Sequence, residues 1–281
     1  VVIGFAFKIS AVPFHTWAPD TYQGAPTPVT AFLSVASKTA GFVALVTVVY
    51  VGFPGSSEVW QPVFWILSAL TMTVGNVLAL KQTNIVRMLA YSSIAQGGFI
   101  LMPLAVAGEQ GVAESALRAV VTYLLVYAAT NLDVFAVIMA VSRKTRSGEI
   151  SSYGGLFSYA PGLATLMTLF MASLAGIPPL GGWFGKFAAF QSLVSAQNNW
   201  AYALAIIGGV NSVVAFGYYG GILREMWMRP VPDGDSSPVP IHSSLIVALA
   251  ITGSATLLLG VLPGIVIHFG DLAGLAGAFG R

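Results

Sequence analysis

Seven apolar segments of about 20 residues or more are the feature that most constrains what this chain can fold into, because about 20 mainly apolar residues cross a bilayer as a helix. The run 1–17 looks like the end of another segment, interrupted at Pro13. Outer-membrane strands would instead alternate over roughly 10 residues. The sequence therefore predicts an all-α polytopic membrane protein, a single transmembrane domain over residues 1–281 with about seven complete helices and one truncated helix. The complete segments lie at residues 28–51, 60–80, 84–106, 114–142, 156–195, 200–228 and 241–262.

Composition excludes a water-soluble enzyme. Hydrophobic residues make up 56% of the 281 residues and charged residues 8%, whereas soluble domains carry about 25% charged residues. A net charge of +2 with scattered Lys and Arg residues provides no basic surface for nucleic acid. The chain has no cysteine and only three widely separated histidines, which excludes thiolate-bound iron–sulfur clusters and local metal motifs. We therefore expect neither a cofactor nor a metal in this chain.

The loop charges predict an orientation. If the connections between segments alternate sides of the membrane, seven Lys and Arg residues lie on one face, and only Arg118 and Arg281 lie on the other. Because cytoplasmic loops are enriched in Lys and Arg, we expect the richer face to be cytoplasmic and the C-terminus to be outside, in a pattern that suits a bacterial plasma membrane. The richer face holds Lys81, Arg87, Arg143, Lys144, Arg146, Arg224 and Arg229.

Three of the five lysines avoid the loops. Lys8 lies in the first apolar run, Lys38 near the middle of segment 28–51, and Lys186 inside segment 156–195. A lysine at the membrane centre costs about 2.5–3.5 kcal/mol even on the lenient insertion scale. Each could extend its amine to the interface or bond a neighbouring carbonyl. The alternative is a row of protonatable groups, since burial disfavours the charged form of an amine.

Interrupted helices are the second functional signal. Residues 176–182 contain Pro178 and Pro179, which cannot continue an α-helix. Backbone groups freed at membrane depth must face protein or water, and discontinuous helices mark ion pathways in transporters. Lys186 follows this break by one turn, and Lys8 precedes Pro13 in a similar way. A Pro-Pro pair can also merely bend a helix, but a break beside a membrane lysine, present twice, favours function.

Two further titratable residues are candidates. Asp133 lies well inside segment 114–142, where an unpaired carboxylate would be costly. His15 follows Pro13 and could be a proton carrier or a structural loop residue. Serines and tyrosines also interleave the helices, and helix–helix hydrogen bonds explain them better than a relay role.

Three long motifs, in order, make the chain similar to a known family. They resemble the antiporter-like subunit N of proton-pumping NADH:quinone oxidoreductase, respiratory complex I, and the resemblance extends from Val1 essentially to the end. Lys38, between Ser37 and Thr39, also favours subunit N, because the larger antiporter-like relatives usually place His there. The motifs are KISAVPFHTWAPD with YQGAPTP at 8–28, RMLAYSSI at 87–94 and GIPPLGGWFGKF at 176–187.

The resemblance implies a fourteen-helix fold of two inverted five-helix repeats with flanking helices, of which this chain covers roughly helices seven to fourteen. Val1 stands inside an apolar run without the charged start of a signal peptide, so we expect a piece of a longer protein. The resemblance implies that Lys8 is the lysine of the first broken helix and that Lys38 is the bridging lysine on the next helix. Lys186 would then be the lysine of the second broken helix. Two features differ from the family pattern. The glutamate partner of Lys8 would lie upstream of these residues. Asp133 stands where the pattern has Gly, through either an added carboxylate in this branch or a shifted alignment of that helix.

We therefore expect a membrane-arm subunit that couples quinone reduction to proton translocation through Lys8, Lys38 and Lys186. The expected partners are the other membrane-arm subunits, the lipid bilayer and protons. NADH, FMN, iron–sulfur clusters and quinone would belong to the parent complex, with no redox centre in this chain. The alternatives are a cation/proton antiporter or hydrogenase-linked membrane subunit of the same fold, and a scaffold without transport.

Overall fold

The computed structural model describes residues 1–262 and 264–265. These residues are predominantly helical, and the described part of the chain contains no β-strand beyond an isolated bridge between Asn84 and Glu149. The first six helices are α1 (Val2–Lys8), α2 (Trp17–Gly24), α3 (Thr27–Phe32), α4 (Lys38–Thr47), α5 (Ser57–Ala79) and α6 (Ile85–Leu101). The remaining six are α7 (Ala113–Thr145), α8 (Leu156–Tyr159), α9 (Pro161–Ala175), α10 (Gly181–Ser195), α11 (Asn199–Met228) and α12 (Ser243–Val261).

The predicted all-α polytopic architecture is confirmed. Six helical stretches among the described residues are long and apolar enough to cross a membrane. One of them, Thr27–Gly52, joins α3 to α4 through the π-helical turn Leu33–Ser37 and ends in a second π-helical turn. The predicted segment 156–195 is different, because it is not one helix but α8, α9 and α10 in succession. Prolines and glycines at the breaks account for that division.

Helix α6 lies at the centre of the bundle. It continues through the 3-10 turn Met102–Val106, and nearly all of the combined segment is buried. Small residues allow this close packing: a Cβ on Gly75 of α5 would lie 2.7 Å from the Ala95 nitrogen, and a Cβ on Gly98 would lie 2.6 Å from the Met72 nitrogen. The backbones of α5 and α6 therefore meet directly, as small residues permit in membrane bundles.

The connections gather at two opposite ends of the bundle. At one end, Ile85 N–H donates to Gly148 O at 2.8 Å, and Gly155 N–H donates to Glu225 O at 3.1 Å. Lys144 at the end of α7 donates to the carbonyls of Asp235 and Ser237 in the loop before α12. The predicted grouping of these loops on one face agrees with those contacts. Arg281 lies outside the described residues.

Contacts at the other end join the remaining connections. Asn198 donates to Glu109 at 3.1 Å, and the Tyr50 hydroxyl donates to Ala113 O at 2.9 Å. The indole of Trp65 donates to Trp200 O at 2.8 Å. Each set of loops is thus held together by its own hydrogen bonds.

Candidate functional site

The break between α9 and α10 begins with a glycine-terminated helix end. Gly176 has φ 92°, in the left-handed region. Its N–H donates to Ser173 O, and the Ile177 N–H donates to Ala172 O at 3.0 Å, which is the Schellman pattern. A helix end leaves its last carbonyls unpaired and carries partial negative charge. The carbonyls of Leu174 and Ala175 are therefore available to side chains.

Lys186 occupies this helix end. It lies one turn into α10, is 4% exposed, and donates from Nζ to Ala175 O at 2.7 Å. Nζ also lies 4.8 Å from the centre of the Phe99 ring on α6, a cation–π distance. A Cβ on Gly176 would approach Lys186 Cδ to 2.8 Å, so the glycine is needed for space as well as for its positive φ. The sequence prediction of a lysine beside a broken helix is consistent with this geometry.

Lys38 is buried on the other side of α6. It is 2% exposed and follows the π-helical turn Leu33–Ser37 directly. Its Nζ donates to both the carbonyl and the hydroxyl of Ser93, each at 2.7 Å. The Tyr127 hydroxyl donates to the same Ser93 Oγ at 2.9 Å. Lys38 and Tyr127 therefore meet at one serine of the central helix.

Lys8 differs from the other two lysines. It ends α1, just before the break at residues 9–16, and its side chain is exposed. This break has the same Schellman pattern as the second: Ser10 has φ 61°, and the Ala11 N–H donates to Ala6 O at 2.8 Å. The stem of Lys8 packs against α4, where a Cβ on Gly41 would lie 3.0 Å from Lys8 Cγ, and its role as a membrane-buried amine stays a prediction.

Helix α6 brings the two sides together. Gln96 lies one turn from Ser93, and its Nε2 donates to Leu174 O at 3.0 Å, next to the carbonyl that holds Lys186. The Tyr123 hydroxyl donates to Gln96 Oε1 at 2.5 Å. Polar groups on a single buried helix therefore contact Lys38 at one end and the second break at the other.

The first break also reaches α6. A Cβ on Gly97 would lie 3.7 Å from Ile9 O and 3.8 Å from Lys38 Nζ. The end of α1 and the amine of Lys38 therefore approach the same point on α6. The Val12 N–H, inside the break, donates to Thr71 on α5 at 3.0 Å.

Asp133 is fully buried and has no cationic partner among the described residues. Its carboxylate accepts from the hydroxyls of Thr252 and Thr256 on α12, the second at 3.0 Å. Within the described residues Asp133 takes part in no ion pair. A pairing of Asp133 with a membrane lysine, which would offset the cost of burial, is therefore not what the structure contains.

His15 lies in the first break. The residue is partly exposed, but Nδ1 is buried without a hydrogen-bond partner. Its backbone carbonyl accepts from the Ala18 N–H at 3.0 Å, which begins α2. His15 is not in hydrogen-bond contact with Lys8, Lys38 or Lys186 in this structure.

Hydroxyls and amides complete the site; the sequence predicts a packing role for the serines and tyrosines among them and does not single out the threonines. Ser93, Gln96 and Tyr127 connect the lysines to α6, and Thr252 and Thr256 hold Asp133. The spacing of four residues between Thr252 and Thr256 places both on one face of α12. That spacing, in a helix without charges, is the signal that could have identified them.

Comparisons with known proteins place these features in a family. The family model for the NADH:quinone oxidoreductase/Mrp antiporter transmembrane segment matches residues 1–213. The NADH-quinone oxidoreductase subunit N of Desulforamulus reducens is 42% identical over 273 residues, covering 97% of this chain and 55% of that protein. The resemblance to subunit N is confirmed, and the chain spans about half the length of the curated relatives it matches.

Solved structures share the fold. A chain of respiratory complex I from Thermus thermophilus has a TM-score of 0.78 and 32% identity, covering 95% of this chain and 56% of that chain. A chain of the Mrp complex from Dietzia sp. DQ12-45-1b has a TM-score of 0.83 at 22% identity, covering 100% of this chain and 58% of that chain. The second similarity concerns the fold alone.

Proposed function

The chain belongs to the NADH:quinone oxidoreductase/Mrp antiporter transmembrane family, and we propose that it is a proton-translocating subunit in the membrane arm of an NADH:quinone oxidoreductase. On this proposal it carries no redox centre, and NADH, FMN, iron–sulfur clusters and quinone are bound by other subunits. Its partners are those subunits, the lipid bilayer and the transported protons. The membrane is a bacterial plasma membrane, and the face rich in Lys and Arg is cytoplasmic.

The observation that carries the proposal is the central position of α6 between two buried amines. Lys38 bonds Ser93 of α6, while Gln96 of the same helix and Lys186 bond neighbouring carbonyls at the second break. A charge change at one amine therefore acts on the other through a buried region that contains polar groups of α6, where electrostatic interactions are stronger than in water. Moving one charge across the membrane costs about 2.3 kcal/mol per 100 mV, which quinone reduction in the parent complex supplies.

Each candidate residue has a role in this proposal. Lys38 and Lys186 gain and release protons in turn, and Lys8, at the end of α1, passes charge from the first break. His15 is proposed as a proton carrier within that break, because its buried Nδ1 lacks a partner. Asp133 is proposed as a further proton-binding group, through contacts that are separate from the lysines.

Substitution of Lys186 tests the proposal. Lys186→Met removes the proton-binding amine, so turnover of the assembled complex and proton pumping should both fall strongly. Lys186→Arg keeps a positive charge that is not released at accessible pH, and should restore activity only in part. The measurement is NADH:quinone reductase activity and proton pumping in membranes, normalised to assembled complex.

Lys81→Met is the matched control. Lys81 is exposed in the turn after α5, so the same change of residue type should leave turnover at its original level. Equal behaviour of Lys186→Met and Lys81→Met at equal assembly would rule out the relay.

A further inference from the structure

Asp133 is a buried acid that the lysine relay does not use. It is 0% exposed, and its recorded hydrogen-bond partners are two hydroxyls of α12. A buried carboxylate that lacks a cation is costly and tends to take up a proton. The position therefore suits a group that alternates between a protonated and an ionised state.

A row of hydroxyls connects Asp133 to the second helix break. Thr256 Oγ1 lies 3.0 Å from Asp133 Oδ2 and 3.5 Å from Thr130 Oγ1. Thr130 Oγ1 lies 3.2 Å from Ser173 Oγ, and Ser173 Oγ accepts from the Gly182 N–H at 3.0 Å. Thr130, Ser173 and Thr256 are all buried. The row thus runs from the carboxylate to the start of α10, one turn before Lys186.

Helix α12 holds this row against the break. Thr252, Thr256 and Gly260 recur every four residues and share one face of the helix. A Cβ on Gly260 would collide with Pro179 O, and it would lie 2.8 Å from the Gly181 nitrogen. The face of α12 that contacts Asp133 therefore contacts the break itself one turn later.

We propose that Asp133 is a second proton-binding site of this subunit, loaded from the break between α9 and α10 through Ser173, Thr130 and Thr256. The proposal rests on the proton-translocating function and adds a branch to the lysine relay. In the structure Thr256 Oγ1 is the donor toward both Asp133 Oδ2 and Thr130 Oγ1, and Ser173 Oγ accepts from the Gly182 N–H. Loading therefore requires the Thr130 hydroxyl to rotate and donate to Thr256.

Loading is a sequence of hops that conserves protons. A hydronium ion at the break gives a proton to Ser173 Oγ and becomes water. Ser173 passes its own proton to Thr130, Thr130 passes its proton to Thr256, and Thr256 passes its proton to Asp133 Oδ2. Each hydroxyl keeps one proton, the carboxylate gains one, and the hydrogen bonds of the row reverse direction. Release runs the same steps backward.

The helices around Asp133 supply few competing charges. Neither α9 nor α12 contains a charged residue, and the same holds for α3 and the turns Leu33–Ser37 and Met102–Val106. Of the other helices packed against α7, α10 carries Lys186 and α6 carries Arg87 and Tyr91. On α7 itself, Tyr127 and Tyr123 lie six and ten residues toward the N-terminus, and the other charged residues lie in its first two turns and its last turn. The pH dependence of this branch is therefore set by Asp133 together with Lys186.

The test compares Asp133→Asn with Thr130→Val in the assembled complex that contains this chain. Proton pumping per NADH oxidised is measured in proteoliposomes over a range of pH. Pumping should fall several-fold in each variant. The double variant should pump as much as Asp133→Asn alone, because both substitutions interrupt the same pathway. The deficit of Thr130→Val should grow as pH rises, since delivery from the break becomes limiting when hydronium is scarce. A packing defect alone would not produce that dependence.

Thr130→Ser keeps the hydroxyl and should restore pumping. The control Thr47→Val alters an exposed threonine that bonds only its own helix, at Val43 O, and should pump like the original protein. If Thr130→Val does not assemble, Thr256→Val and Thr256→Ser make the same comparison. Full pumping by Asp133→Asn, or by an assembled Thr130→Val or Thr256→Val, would overturn the branch. If Lys186→Met is impaired in the same experiment, the proposed function stands without the branch, whereas an unimpaired Lys186→Met overturns the function itself.

Discussion

Lys38 and Lys186 are both held by oxygens of the protein rather than by carboxylates. Neither lysine forms an ion pair within the described residues, and their amines bond Ser93 and the Ala175 carbonyl. Neutral acceptors can bond an amine in either protonation state, because the amine keeps hydrogens to donate after it loses a proton. A carboxylate would instead favour the charged form. These contacts are therefore suited to reversible protonation.

Ser93→Ala tests the contact at Lys38. The change removes the hydroxyl shared by Lys38 and Tyr127, and an unsatisfied buried polar group costs about 1–3 kcal/mol. We expect a lower thermal midpoint of the assembled complex and reduced pumping per NADH oxidised. Ser195→Ala is the control, because Ser195 is exposed and bonds only Gln191 O of its own helix. Equal midpoints and equal pumping for the two variants would show that the Ser93 hydroxyl has no role.

The sequence reveals these lysines better than it reveals their contacts. An amine in an apolar segment is costly by itself, so Lys38 and Lys186 stand out without any structure. Ser93 does not stand out, because a membrane serine is usually explained by packing, and its importance depends on which helix faces it. The exposure of Lys8 is likewise a property of the packing, which the apolar run around it does not indicate.

The contact between α5 and α6 sets the position of the central helix. Gly98→Ala would place a Cβ 2.6 Å from the Met72 nitrogen, and backbone atoms cannot move aside as side chains can. Overpacking of this kind costs about 1–3 kcal/mol, and it would displace Ser93 and Gln96 together. We expect less assembled complex, with lower specific pumping in what remains.

Gly209→Ala provides the comparison for that prediction. Gly209 lies inside α11, and a Cβ there would meet nothing within 4 Å. Assembly and pumping should therefore match the original protein. The α5–α6 interpretation fails if Gly98→Ala assembles and pumps as well as Gly209→Ala, measured as complex content in native gels and pumping per complex.

Helix breaks were predictable where proline and glycine mark them. Pro178, Pro179 and Gly176 predict the end of α9 through their own backbone chemistry. The π-helical turn before Lys38 has no such mark, since residues 33–37 are ordinary helix formers in sequence. That turn therefore results from packing against the rest of the protein. Because it adds a residue to one turn, it changes the direction in which the later side chains of α4 point.

The whole molecule separates its loops onto two ends. One end joins the loops around Lys81, Arg146 and Asp235, and the other joins those around Glu109 and Asn198. The positive-inside pattern makes the first end cytoplasmic, which stays a prediction. These 281 residues contain no cysteine, so an introduced cysteine is the single thiol in this part of the protein.

Ser236→Cys and Gln110→Cys place one thiol at each end. Both positions are exposed, Ser236 in the loop before α12 and Gln110 in the loop before α7. Because the loop at Ser236 adjoins Lys144 and the other basic residues, a membrane-impermeant maleimide should label Ser236→Cys only in inside-out vesicles and Gln110→Cys only in right-side-out vesicles. Modification of this subunit is followed by mass shift after purification, with labelling in detergent as the measure of full reactivity. The reverse pattern would place the basic end outside and would invert the direction of proton movement through Lys38 and Lys186.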